Sequence, residues 1–163
     1  MQNVMPPSRT AGPGAGAGSE PGRLTLLLSH GGDFESSAVE HLVRLLEPMG
    51  IRAIEARTGE DAADVLGREP VHVAVVDWSV PLRPGSTDPA GGRVLQLLQR
   101  ARPVPPTVVI RPRQASSRDA DRGLSEALRC GAFAVVDRPL QLEVLLEVLR
   151  RILRRHYSGA WPG

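Results

Sequence analysis

From Leu24 onward, short apolar runs alternate with amphipathic stretches. Leu24 to Leu28 reads as a strand, and Phe34 to Met49 as a helix with Ala38, Leu42, Leu45 and Leu46 on one face and Gly50 just past its end. Ile51 to Ala56 is a weaker strand, followed by a helix from Glu60 to Leu66. Val71 to Val76 is apolar on both faces, the pattern of a central parallel strand covered by helices on each side. A helix from Arg93 to Ala101, a β-branched strand from Thr107 to Ile110 and a helix from Arg118 to Cys130, stopped by Gly131, come next. Phe133 to Val136 is the last strand and Leu140 to His156 the last helix. This βα order, repeated five times, predicts a doubly wound α/β fold: a five-stranded parallel sheet with right-handed crossovers and helices on both faces.

The central apolar run ends in one carboxylate, Asp77, within VHVAVVDWSVP. In open α/β sheets the carboxyl ends of the strands are where ligands and chemistry collect, so Asp77 is the leading site candidate. The plainer role for such an Asp is to form the turn that follows. Pro139 is expected in the first turn of the last helix, where proline is best tolerated. That helix carries Leu142, Leu145, Leu146, Leu149, Ile152 and Leu153 as an inner face, with Val144 and Val148 towards a flank.

Composition narrows the function classes. Residues 1–22 hold little that is large enough to bury and read as a disordered Gly/Pro/Ala-rich arm, leaving one domain at 23–157 and a short tail at 158–163. No stretch has the apolar core of a signal peptide or the length of a membrane span, which implies a soluble, cytoplasmic protein without membrane contact. The single cysteine, Cys130, excludes an internal disulfide and gives no metal-site spacing; near a helix end it is expected to be a buried structural thiol. All 20 basic residues of the Lys+Arg count are arginine. A net charge of +2 and an aromatic content of 3% give no reason to expect a nucleic-acid partner. Arg150, Arg151, Arg154 and Arg155 are favoured at a helix C-terminus by the helix dipole whatever the function.

Two segments, DWSVP at Asp77 to Pro81 and GAFAVVDRPL at Gly131 to Leu140, stand in the right order on the right elements to make the chain resemble the receiver domain of bacterial response regulators, the flavodoxin-like CheY-like receiver. The resemblance covers roughly Arg23 to Tyr157. It implies that Asp77 is the equivalent of the phosphoacceptor, that Arg138, with Pro139 after it, stands for the family's lysine, and that an acidic pair should follow the first strand to hold Mg²⁺. In that family a histidine kinase supplies the phosphoryl group, and its transfer depends on electrostatic clamping.

Against that pattern several positions depart. Ser29 and His30 occupy the places of the acidic pair, and Asp33, a few residues on, is the nearest remaining acid. One displaced carboxylate does not restore a Mg²⁺ cage. Arg111 and Val135 replace the hydroxyl and the aromatic that move in a working switch. With no lysine anywhere in the chain, Arg138 by itself says little. The resulting expectation is a pseudo-receiver in two-component or phosphorelay signalling: not an enzyme, without a cofactor, binding a protein partner through the 118–157 face, with a homodimer left open. Asp77 would then be paired with an arginine, Arg111 or Arg138, in place of the cation. One alternative is an active regulator phosphorylated on Asp77 with Mg²⁺; another is a small-anion-binding regulatory domain built on the same arginines. The segments Val80 to Gly92 and Arg111 to Ser117 are longer than such a scaffold needs, and are expected to cover the pocket or present a new surface.

Overall fold

The structure, a computed structural model, describes residues 23–32, 36–113 and 116–157. Five parallel strands, β1 (Leu24–Ser29), β2 (Ile51–Ala56), β3 (Val73–Asp77), β4 (Thr107–Arg111) and β5 (Ala134–Asp137), lie in the order β2-β1-β3-β4-β5. The helices between and after them are α1 (Ser36–Leu46), α2 (Gly59–Arg68), α3 (Gly91–Arg100), α4 (Ser117–Arg129) and α5 (Leu142–Tyr157). This is the predicted doubly wound α/β sheet. No helix among the described residues is long and apolar enough to cross a membrane.

Strand alternation divides the core. Leu24, Leu26 and Leu28 of β1 join Val39, Leu42 and Leu46 of α1 and Leu145, Leu149 and Ile152 of α5 on one face. Leu27 turns the other way, towards Ala62 and Val65 of α2 and Val94 and Leu98 of α3, and Leu95 with Ala127 of α4 extends that second layer. Burying each of these large side chains contributes about 1.5–3 kcal/mol, which is the main reason the strands hold this register. Two helices start on hydroxyl caps: Thr58 accepts from the Asp61 amide at 3.0 Å and Ser116 from the Asp119 amide at 3.2 Å.

Several details differ from the sequence reading. On α1 the buried stripe is Val39, Leu42 and Leu46, while Leu45 is exposed, because spacings of three and four keep the first three residues over the sheet. Pro48 lies in a separate 3-10 turn, Glu47–Met49, where its missing amide N–H no longer interrupts an α-helical ladder. Phe34 lies outside the described residues. The central strand begins at Val73 rather than Val71, since the His72 amide is already bonded to Thr25 O at 2.9 Å as the chain enters the sheet. Pro139 precedes α5 by three residues, in a loop entered through a cis Arg138–Pro139 peptide, instead of sitting in its first turn. Val148 packs against the core, and Val144 alone of the two valines is exposed. Cys130 is exposed, not buried: it is the residue that caps α4, where the chain has turned away from the core.

The far end of α5 is tied to the amino edge of the sheet. The Tyr157 hydroxyl donates to the His72 carbonyl at 2.6 Å, and His72 Nδ1 accepts from the Thr25 amide at 2.8 Å. Burial lowers the pKa of His72 below its ordinary value and raises that of Tyr157, so both stay neutral near pH 7.

Candidate functional site

Asp77 is the last residue of β3 and is 1% exposed. Both carboxylate oxygens are engaged: Oδ1 accepts from the Ser79 amide at 3.0 Å, and Oδ2 accepts from the Arg138 guanidinium. The first bond is the turn-forming role open to any Asp at a strand end, so here that role and an ion pair coexist. The turn is further fixed by Trp78, whose amide donates to Ile110 O at 2.7 Å, and by Gly91. A Cβ at Gly91 would lie 2.5 Å from the Trp78 Cα, so this close approach of backbone to helix start admits only glycine.

Arg138 reaches Asp77 because β5 ends one residue before it and the Arg138 amide bonds to Arg111 O at 3.1 Å, which aims the side chain back over the strand ends. Its side chain is 22% exposed, so the pair consists of a buried anion and a cation still in touch with water. Such a carboxylate is tolerable in the interior only while it is paired.

Arg111 does not join Asp77, nor does it point into solvent. It is 7% exposed and forks onto Asp137, with Nε to Oδ1 and Nη2 to Oδ2 at 3.2 Å, while Nη1 donates to the Ala120 carbonyl of α4. The parallel register explains the choice: Arg111 stands directly opposite Asp137 on β5, whereas Asp77 on the other neighbouring strand, β3, stands opposite Ile110, whose side chain points to the other face of the sheet. That guanidinium needs room under α4, and Gly123 leaves it; a Cβ there would come within 3.2 Å of Arg111 Nη1. The bond from Arg111 pulls the Asp137 carboxyl below its ordinary pKa. The composition of β5 hid this pair, because the strand was expected to stop at Val136 and Asp137 to start the loop.

Ser29 and His30 close the end of β1. Ser29 is fully buried and its Oγ has no hydrogen-bond partner among the described residues. His30 is 5% exposed, with Nδ1 at 3.2 Å from Gly31 O and Nε2 at 3.2 Å from Glu55 Oε2. Glu55 was not singled out from the sequence, although its place one residue before the end of β2 puts it next to β1. Asp33 lies outside the described residues. Val135 is half-buried, against Leu95 and Trp78 on the α3/α4 side of the sheet.

A hard divalent cation requires several oxygen ligands. Here the β1 end offers one neutral hydroxyl and an imidazole already facing Glu55, and the Asp77 carboxylate is held by a guanidinium. Among the described residues no three His, Cys, Asp or Glu side chains gather as a metal cage. Among the described residues, the donors at this corner do not fit Mg²⁺.

The long segment after β3 starts beside Gly31 at the β1 end, through Val80 and Pro81, and then seats itself on the start of α2. Gly59 and Glu60 amides donate to Pro81 and Leu82 carbonyls at 2.8 and 3.1 Å, Pro81 bridges Pro89, and Arg83 pairs with Glu60 at 2.7 Å. Two orphan N–H groups of the helix are thereby satisfied. Of the second long segment, residues 114 and 115 lie outside the described set.

No protein-family model and no curated protein matches the chain. Its backbone is similar to those of solved receiver domains. Against a CheY-like response regulator receiver domain protein from Methanospirillum hungatei the TM-score is 0.64 at 17% identity, covering 84% of this chain and 98% of that one. A two-component response regulator from Clostridium difficile gives 0.63 at 21%, covering 82% and 98%. The chemotaxis response regulator CheY4 of Vibrio cholerae gives 0.62 at 18%, covering 80% and 99%. The fold is that of CheY-like receiver domains.

Proposed function

We propose that this receiver-fold chain serves two-component or phosphorelay signalling as a protein-binding module, with its strand-end corner held by Arg138 rather than switched through ordinary Mg²⁺-dependent phosphorylation of Asp77. The observation that carries the reading is the ion pair between buried Asp77 and Arg138. A guanidinium neutralises the carboxylate that a receiver would share with its cation, and Ser29 and His30, at the places of the acidic pair, bring no negative charge to attract one. The family's moving parts are also replaced by fixed ones, since Arg111 ties β4 to β5 and α4.

The module binds rather than catalyses. Its partner docks on the 118–157 face, where Leu124, Leu128 and Val144 are exposed and a shallow cavity of about 330 Å³ opens beside Val135, Pro139 and Val144. The small-anion reading loses support from the same geometry, because both arginines proposed to clamp an anion already hold a carboxylate of the chain itself. Incubation with acetyl phosphate and Mg²⁺ followed by intact-mass measurement tests the reading. The expected outcome is an unchanged mass. A stable gain of one phosphoryl group, lost in Asp77→Ala, replaces this reading with that of an active regulator.

A further inference from the structure

Positive charge gathers at the amino edge of the sheet, opposite the Asp77 corner. All five strands run parallel and each helix returns against them, so every helix ends at this edge. Arginine stands in each of those last turns: Arg44, Arg68, Arg100, Arg129, and both Arg154 and Arg155 on α5. Arg23, Arg52 and Arg102 add to them at or just before the starts of β1, β2 and β4. All nine are exposed. The same last turns and the segments joining them to the next strands hold three acids, Glu47, Glu69 and Glu126, and Glu69 is engaged by Arg52 at 3.0 Å. The edge thus carries six more positive than negative charges on a chain whose net charge is +2, and the rest of the molecule is net negative. A helix dipole favours a cation at each helix end, but it asks for none at the strand starts.

Rings collect at the same edge. Phe133, His156, Tyr157 and His72 form a row with successive ring centroids 5.7, 6.4 and 6.3 Å apart, running from the start of β5 to the start of β3. They are four of the nine aromatic and histidine rings in the chain. His156 is exposed and the other three are half-buried. The Arg155 guanidinium lies over the Phe133 ring, 6.0 Å from its centroid. Whole-chain averages conceal this juxtaposition, because a net charge of +2 and an aromatic content of 3% describe no edge in particular. An acidic protein segment answers the arginines but has no use for the rings, and a duplex keeps its base faces stacked inside. A single strand offers both phosphates and open base faces.

We propose that the amino edge binds single-stranded nucleic acid, with its arginines on the phosphates and the ring row, led by exposed His156, against unstacked bases. The signalling reading plays no part in this, since Asp77 and Arg138 stand at the other edge.

Fluorescence anisotropy of a labelled oligo(dT) of about 20 nucleotides, titrated with the full chain from about 50 to 300 mM salt, tests it. Contact with three or four phosphates gives a slope of log affinity against log salt of about −2 to −3. Arg154→Gln/Arg155→Gln is expected to weaken binding by at least about tenfold and to flatten that slope by about 1.4. His156→Ala is expected to weaken binding about fivefold with the slope unchanged, the signature of lost stacking rather than lost charge. Arg83→Gln/Arg93→Gln removes as much charge away from this edge and is expected to bind as the wild type does. All these positions are exposed, and an unchanged melting temperature verifies that the variants fold. No anisotropy change at the lowest salt overturns the proposal, as does equal weakening by the Arg83/Arg93 control. Displacement of the oligonucleotide as effectively, charge for charge, by polyglutamate or by anionic lipid vesicles also overturns it, in favour of an acidic protein or a membrane surface.

Discussion

Two carboxylate–guanidinium pairs stand at the carboxyl edge of the sheet, and they are inverted copies of each other. At one, the anion is buried and the cation reaches water: the Asp77 side chain is 1% exposed and that of Arg138 22%. At the other, the cation is buried and the anion is outside: Arg111 is 9% exposed and Asp137 57%. The buried member decides what each pair does. Asp77 has one backbone amide besides Arg138, so its charge depends on the guanidinium. Arg111 has the Ala120 carbonyl in addition to Asp137 and bonds three structural elements together. The first pair neutralises a buried carboxylate; the second is a strut between β4, β5 and α4.

This contrast predicts an order of effects. Arg138→Met strands a buried anion and is expected to cost about 3 kcal/mol, at the low end for breaking a buried pair because water reaches the site through the space vacated. Adding Asp77→Asn to that variant recovers more than half of the loss in chemical denaturation; no recovery breaks the claim that the charge, rather than packing, is at stake. Asp137→Ala leaves Arg111 its carbonyl and some solvent, for an expected loss of about 1–2 kcal/mol. If Asp137→Ala costs more than Arg138→Met, the two corners have been ranked the wrong way round.

Much of this was legible in the sequence. An apolar run ending in one Asp located Asp77, and the alternation of elements with the DRP segment located Arg138. What could not be read was which arginine reaches which carboxylate. That is fixed by strand register, and Arg111 and Asp137 become neighbours only once β4 and β5 each extend one residue beyond their β-branched runs. The same limit hid Glu55, whose pairing with His30 depends on β2 lying beside β1, and misjudged Leu45 and Cys130, whose burial depends on how a helix is rotated and where it ends. Residue type announced the chemistry available; only the packed sheet assigned the partners.

Away from both corners the expected effects are smaller and serve as controls. Tyr157→Phe removes the bond to the His72 carbonyl and should cost about 1 kcal/mol, without altering the contrast between the two pairs. Strong acid should weaken the exposed pair. The Asp137 pKa is depressed from 3.8, so its contribution is complete above that value and disappears as pH falls through the lower, folded-state value; with the carboxylate more than half exposed, it amounts to well under about 1 kcal/mol. His72 acts earlier. Its pKa is depressed from 6.5 by burial, so stability holds above that pH and declines below it as the unfolded chain takes up a proton that the folded one refuses. Denaturation midpoints measured from pH 8 to pH 3 should therefore begin to fall near 6.5, and His72→Gln should remove that first step.

The central claim is that a guanidinium already stands where a receiver keeps its cation. Titrating Mg²⁺ into the wild-type protein by isothermal calorimetry tests it most directly. The account predicts no saturable heat up to millimolar Mg²⁺; a defined one-site isotherm, abolished in Asp77→Asn, would contradict it.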